Sequence, residues 1–250
     1  MAGHSKWANI RRKKAGVDAQ RAKVFTRIIR EITVAARDGG GDPAGNPRLS
    51  LAIDNAKSSN MPKENIERAI KKGTGEIEGQ SYEELTYEGY GPGGIAYFVE
   101  VSTDNQNRTV GEIRHIFSKL GGNLGTNGSV AYMFDQKGII QVKAEGTDKD
   151  ELMLAAIDAG AEDVQSDEES IEVTTAREDL FKVRTALEET GYSITSAELN
   201  RIPATYTKVD AETALSNFKL MEKLEENDDV SNVFTNMEMD EETMSVAENM

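Results

Sequence analysis

Residues 138–202, GIIQVKAEGTDKDELMLAAIDAGAEDVQSDEESIEVTTAREDLFKVRTALEETGYSITSAELNRI, divide into six elements. Strands are read at Gly138–Lys143, Glu162–Ser166, Ser170–Thr174 and Ser193–Ile202. Helical spacing marks Lys149–Ala159 and Glu178–Thr190. The order βαββαβ is the split-βαβ, ferredoxin-like arrangement, so this block predicts a small sheet with two helices.

The flanks of the block each lack a complete sheet. Upstream, YEELTYEGYGPGGIAYFVEVST (82–103) reads as two strands around a Gly-Pro-Gly-Gly turn, with Ile95, Tyr97, Val99 and Val101 alternating. The turn is read as ordinary hairpin geometry or as a contact loop. A helix capped at Asp104 follows with Val110, Ile113, Ile116, Phe117 and Leu120, ending at Gly121-Gly122, and then a strand near Ser129–Phe134. Downstream of Pro203, a helix capped by Asp210 aligns Ala211, Ala214, Leu215, Phe218 and Met221, and a strand follows near Val230–Thr235. The acidic, Met-bearing tail from Glu238 is expected to fray. Joined, the flanks supply one sheet, which predicts a middle α/β domain of residues 78–134 and 204–240 with a ferredoxin-like domain, 135–203, inserted in it.

Residues 1–77 are read as a basic helical domain. Its first helix runs from about Asp18 to Asp38 and stops at Gly39-Gly40-Gly41, with Gly39 supplying the left-handed cap. Pro47 starts a second helix with Leu49, Ala52, Ile53 and Ala56 inward, and Pro62 opens a third with Ile66, Ala69 and Ile70 on one side. Three amphipathic helices joined by short loops make a small bundle, and the polar stretch after Gly73 reads as a hinge. The predicted fold class is α+β in three domains: an N-terminal three-helix bundle plus two α/β domains, one ferredoxin-like and inserted in the other.

Charge divides along the same line. Residues 1–75 carry 16 Lys and Arg against 7 Asp and Glu, +9, while the remainder carries 13 against 37, −24, giving the net −15. A basic front on an acidic body points to a polyanion held only by the front. At about 100° per residue, Val17, Val24, Phe25, Ile28, Ile29, Ile32, Ala35 and Ala36 share one arc of the first helix, and Lys23, Arg27, Arg30 and Arg37 share another. Val34 falls among the cations and Arg21 within the apolar arc. The candidate nucleic-acid-binding residues are Lys6, Trp7, Arg11, Arg12, Lys13, Lys14, Arg21, Lys23, Arg27, Arg30, Arg37, Arg68, Lys71 and Lys72. Trp7 either stacks on a base or anchors the arm to the bundle. Phosphate contacts give affinity without reading sequence, so the pattern says nucleic acid and not which one. A solvated basic bundle is the plain alternative.

Other chemistry finds little support. Cysteine is absent, which removes disulfides, thiolate metal sites and a cysteine nucleophile. His4 and His115 lack metal-ligand spacing. The glycine-rich stretches 89–94 and 121–128 lack the strand-before, helix-after context of a dinucleotide loop, and no GxxxxGK[ST] occurs. The acidic residues single out no acid–base pair. No 18-residue apolar run and no signal-peptide core is present, so a soluble, cytoplasmic protein without a membrane partner is expected, and no cofactor is called for.

Four blocks carry a family resemblance: AGHSKWANIRRKKAGVDAQRAKVFTRIIREI (2–32), NPRLSLAIDNAKSSNMPKENIERAIKKG (46–73), YEGYGPGGIAYFVEVSTDNQNRTVGEIRHIFSKLGGNLG (87–125) and SVAYMFDQKG (129–138). They resemble the YebC-type family of probable transcriptional regulators, whose mitochondrial relatives include the translational activator of cytochrome c oxidase. The resemblance implies three domains, one helical and two α/β, and a cytoplasmic, non-enzymatic regulator of gene expression. It also implies two mechanisms: some members look like DNA-binding transcriptional regulators. Others look like ribosome-associated translation factors that bind rRNA or tRNA and relieve stalling at proline-rich stretches. A ligand-sensing ferredoxin-like module is a third reading, by analogy of fold alone.

Overall fold

The computed structural model describes Trp7, residues 17–166 and residues 170–250, with only the backbone given for 17–20. In chain order the helices α1 (Val17–Gly39), α2 (Pro47–Ser58) and α3 (Lys63–Gly73) precede β1 (Glu83–Tyr90), β2 (Ala96–Thr103), α4 (Gln106–Lys119) and β3 (Asn123–Leu124). Then come β4 (Phe134–Lys143), α5 (Lys149–Ala159), β5 (Ala161–Ser166), β6 (Ser170–Ala176), α6 (Leu180–Glu189) and β7 (Ile194–Pro203). The chain closes with α7 (Ala211–Glu226), β8 (Val230–Thr235) and α8 (Glu241–Glu248). Contacts group these into two compact units: Met1–Arg27, Gln80–Asp135 and Arg201–Met250 form one, Ile28–Gly79 and Gln136–Asn200 the other.

The first unit is built on the sheet β3-β1-β2-β8. Alternation along β2 divides its side chains: Tyr97, Val99 and Val101 join Ile113, Phe117, Phe218, Met221 and Leu224 in the main core, while Ala96 and Phe98 meet Val130, Phe134 and Phe234 on the opposite face. The Gly-Pro-Gly-Gly stretch is a 3₁₀ turn tied to α7, because the buried Asn217 donates from Nδ2 to the Pro92 carbonyl at 2.9 Å and accepts from the Tyr97 hydroxyl at 2.9 Å. A Cβ at Gly91 would stand 2.5 Å from Asn217 Oδ1, so only glycine lets the turn lie this close.

Two expectations for this unit are corrected. No strand runs through 129–134; Ala131–Met133 is a 3₁₀ turn, and the strand on that edge is Asn123–Leu124. The cause is Glu88, a buried carboxylate that accepts from the backbone N–H of Gly128 (2.6 Å), Val130 (2.7 Å) and Ala131 (2.8 Å) and so removes these donors from a ladder. The tail is not frayed. Asp240 caps α8 by accepting from Thr243 N at 2.9 Å, and Met244 and Ala247, one turn apart, are buried in the main core.

The second unit contains the sheet β5-β6-β4-β7. With α5 and α6 joining the same apolar cluster, this is the expected βαββαβ domain. Its first strand starts earlier than read, at Phe134, and a 3₁₀ turn, Arg177–Asp179, precedes α6. The same unit holds α1 from Ile28 onward, α2 and α3. Leu49, Ala52, Ile53 and Ala56 are the buried face of α2, and Leu51 packs against the ferredoxin-like core. Asn55 pairs with the edge strand as another strand would, donating to the Ala197 carbonyl at 2.9 Å and accepting from its N–H at 3.1 Å. Beside it, Asp54 accepts from the buried Arg184 at 2.6 Å.

Candidate nucleic-acid interface

The three helices are held at close range by small and polar residues. Asn46 caps α2, accepting from Leu49 N at 3.1 Å, and its buried amide donates to the carbonyls of Ala35 (2.8 Å) and Gly40 (2.9 Å). One side chain therefore satisfies both the end of α1 and the start of α2. The left-handed residue is Gly40, at φ +88°, rather than Gly39, which is the last residue of α1 and lies against the Asn46 side chain. Where α1 and α3 meet, Thr33 Oγ1 donates to the Ala69 carbonyl at 3.4 Å, and a Cβ on Gly73 would lie 2.3 Å from the Thr33 carbonyl oxygen and 2.8 Å from Ala36 Cβ.

That crossing decides where the cations point. Thr33 meets Ala69 and, further along both helices, Ala36 and the backbone nitrogen of Arg37 meet Gly73, so the helices run in the same sense. Arg30 and Arg37 lie about 80° from the contact line on α1, and Lys72 and Arg68 lie about 80° to 120° from it on α3 in the opposite rotational sense. For facing helices that run the same way, these rotations lead to one side. Arg30, Arg37, Arg68 and Lys72 thus share a surface, and Lys71 lies further round α3. Arg37, Arg68 and Lys71 are exposed, whereas Arg30 and Lys72 are half-buried. The exposed Arg37 pairs with Asp38 at 2.8 Å, a surface contact that a phosphate can replace at little cost.

Upstream on α1, Arg21 and Arg27 are exposed and Lys23 is half-buried. The Arg21 guanidinium lies over the Phe25 ring at 5.2 Å, which accounts for an arginine within the apolar arc. That arc is buried only toward the end of the helix: Val24 is 43% exposed, while Ile32, Ala35 and Ala36 are buried. Val34, which the spacing places among the cations, is also buried, because the last turns of α1 are enclosed on more than one face. Lys6, Arg11, Arg12, Lys13 and Lys14 lie outside the described residues.

Trp7 is positioned as an anchor. It is 3% exposed, its ring stacks on Phe218 of α7 at 4.8 Å between centroids, and its indole N–H donates to Glu225 at 3.4 Å. The anchoring surface is α7 and not the helical bundle, and a ring covered in this way offers no face for a base.

Residues 5–76 match the TACO1/YebC protein N-terminal domain, and residues 82–237 match the TACO1/YebC second and third domain. The chain belongs to the TACO1/YebC family. It is 57% identical over 246 residues to a probable transcriptional regulatory protein of Persephonella marina, with 98% of each chain covered. It is 56% identical over 244 residues to one of Geobacter sulfurreducens, again with 98% of each covered. Its fold is similar to the crystal structure of the conserved hypothetical protein Aq1575 from Aquifex aeolicus. There the TM-score is 0.86 at 52% identity, over 91% of this chain and 94% of that one. The Aquifex aeolicus protein therefore shares the α+β architecture described here.

Proposed function

We propose that the protein is a nucleic-acid-binding regulator of gene expression that acts in the cytoplasm on DNA through the phosphate backbone. The observation that carries this reading is the convergence of Arg30, Arg37, Arg68 and Lys72 on one side of the α1–α3 layer, within an otherwise acidic chain. Further support comes from relatives named probable transcriptional regulatory proteins over their full length. The reading assigns no catalytic group and no cofactor. Among the described residues, no helix is long and apolar enough to cross a membrane.

The phosphate contacts alone are sequence-blind, so a transcriptional role requires added discrimination. At about 0.15 M salt, fluorescence anisotropy should give an affinity for a duplex from the gene's own upstream region about 10³-fold or more above that for its scrambled counterpart. A ratio near one, together with cosedimentation of the protein with ribosomes at the same salt, would overturn the DNA reading and assign the cations to ribosomal RNA.

A further inference from the structure

The second unit carries an apolar surface that its own fold does not use. Helix α5 is apolar on more than its inner side: Leu152 and Ala156 are fully buried, yet Met153, Leu154 and Ile157 are 41%, 66% and 54% exposed. On α6, Phe181 is 45% exposed although its neighbour Leu180 is in the core. The two helices share one apolar cluster. Where α5 ends, Gly160 lies at ordinary contact distance from α6: a Cβ there would stand 3.5 Å from Lys182 Nζ and 4.0 Å from Val183 Cγ2. Phe181 stands on the other flank of α6, under the Arg184 guanidinium at 5.8 Å. Among the described residues nine large hydrophobic side chains are exposed, and three of them lie within one arc of α5, so this is a patch and not scatter.

We propose that this face of α5 is a docking surface for a partner protein segment that presents apolar anchors flanked by lysine and arginine. Charge selects that occupant. Asp150 lies in the middle of the exposed arc of α5, with Glu151 and Asp158 beside it. Residues 149–190 hold 13 Asp and Glu against 4 Lys and Arg, of which Lys149 borders the arc and Lys182 reaches the end of α5. Nucleic acid and an anionic lipid surface are repelled. A second copy of the chain meeting this face symmetrically would set acid against acid. A basic segment gains from both the apolar burial and the rim. The inference is independent of the nucleic-acid reading, which concerns the N-terminal helices.

The test uses the full chain and a synthetic 14-residue helical peptide with leucines at i, i+3, i+4 and i+7 and lysines at the flanking positions, beside a copy with glutamates for the lysines. Titration calorimetry at about 0.15 M salt should show saturable one-site binding of the lysine peptide. Binding should be at least about tenfold weaker for the glutamate peptide and for the Leu154→Ser/Ile157→Ser variant, an effect of about 1.4 kcal/mol or more. Both leucine and isoleucine are exposed, so the variant keeps the fold. An Asp150→Lys variant, which leaves the apolar residues in place, should also weaken the lysine peptide by about threefold or more. Four results would overturn the proposal: no saturation, equal binding of the two peptides, binding unaltered in both variants, or a dimer in sedimentation equilibrium that Leu154→Ser/Ile157→Ser dissolves. The last would give the face to a second copy.

Discussion

Replacing Asp229 by alanine lowers the stability of the first unit by about 2–4 kcal/mol, the largest effect expected of a single polar substitution here. Asp229 is 4% exposed, and one of its carboxylate oxygens accepts from Thr109 Oγ1 (2.7 Å), Arg108 Nη2 (2.7 Å) and Thr103 Oγ1 (3.1 Å). Its own carbonyl accepts from Ser102 N at 2.8 Å, so the residue ties the start of β8 to the end of β2 and the first turn of α4. Bonds from Asp229 and then Asp104 hold the Arg108 guanidinium above its ordinary pKa, but Arg108 is 43% exposed and water takes over most of what it would lose. The cost arises from the buried threonine hydroxyls and the cavity. Thr103 and Thr109 are already 2.8 Å apart and partly re-pair, which places the figure below that for breaking a fully buried ion pair. Hydrogen exchange of the Val101 and Ser102 amides reads the effect; a change below about 0.5 kcal/mol would contradict it, and Asp229→Asn should cost about half as much.

Replacing Glu88 by glutamine has a comparable effect and a distinctive pH dependence. Burial alone would raise the Glu88 pKa, but the N–H groups of Gly128, Val130 and Ala131 outweigh burial and hold the carboxyl below its ordinary range. A pKa lower in the folded state means that the charged form stabilises the fold above the unfolded-state value near 4.5, and that this contribution is lost as pH falls through the folded-state value. Glutamine keeps one acceptor oxygen but turns an NH₂ toward N–H donors. At pH 7 the variant should therefore be less stable by about 2–3 kcal/mol. The gap should narrow as pH falls below about 4. Urea midpoints of both proteins across pH 3–7 check this; a gap independent of pH would mean that Glu88 acts through packing and not through its charge.

These two carboxylates also show where the sequence is silent. The βαββαβ order was legible because alternation and helical spacing are local, and the inward face of α2 was legible for the same reason. Glu88, Asp229, Asn55 and Asn217 carry no local signal. Their partners lie 40 to 142 residues away, so a buried clamp looks like any surface acid or amide. Val34 fell among the cations because a helical wheel sees one helix and not the neighbours that enclose its last turns. The order at the tail could have been read, since Asp240 with Met244 and Ala247 is a cap followed by apolar residues one turn apart. Within the candidate interface, the spacing gave the cationic row on α1. The shared side with α3 depends on the sense of the Ala69–Gly73 crossing, which only coordinates supply.

The claim on which the functional account rests is that these cations hold phosphate. Neutralising Arg37, Arg68 and Lys72 to glutamine and following the binding of a 25-base-pair duplex from about 0.05 to 0.3 M salt tests it most directly. The account predicts a log–log salt slope smaller by about 2–3 and an affinity at least tenfold weaker, with the melting temperature unchanged. An unaltered slope in the folded variant would contradict it.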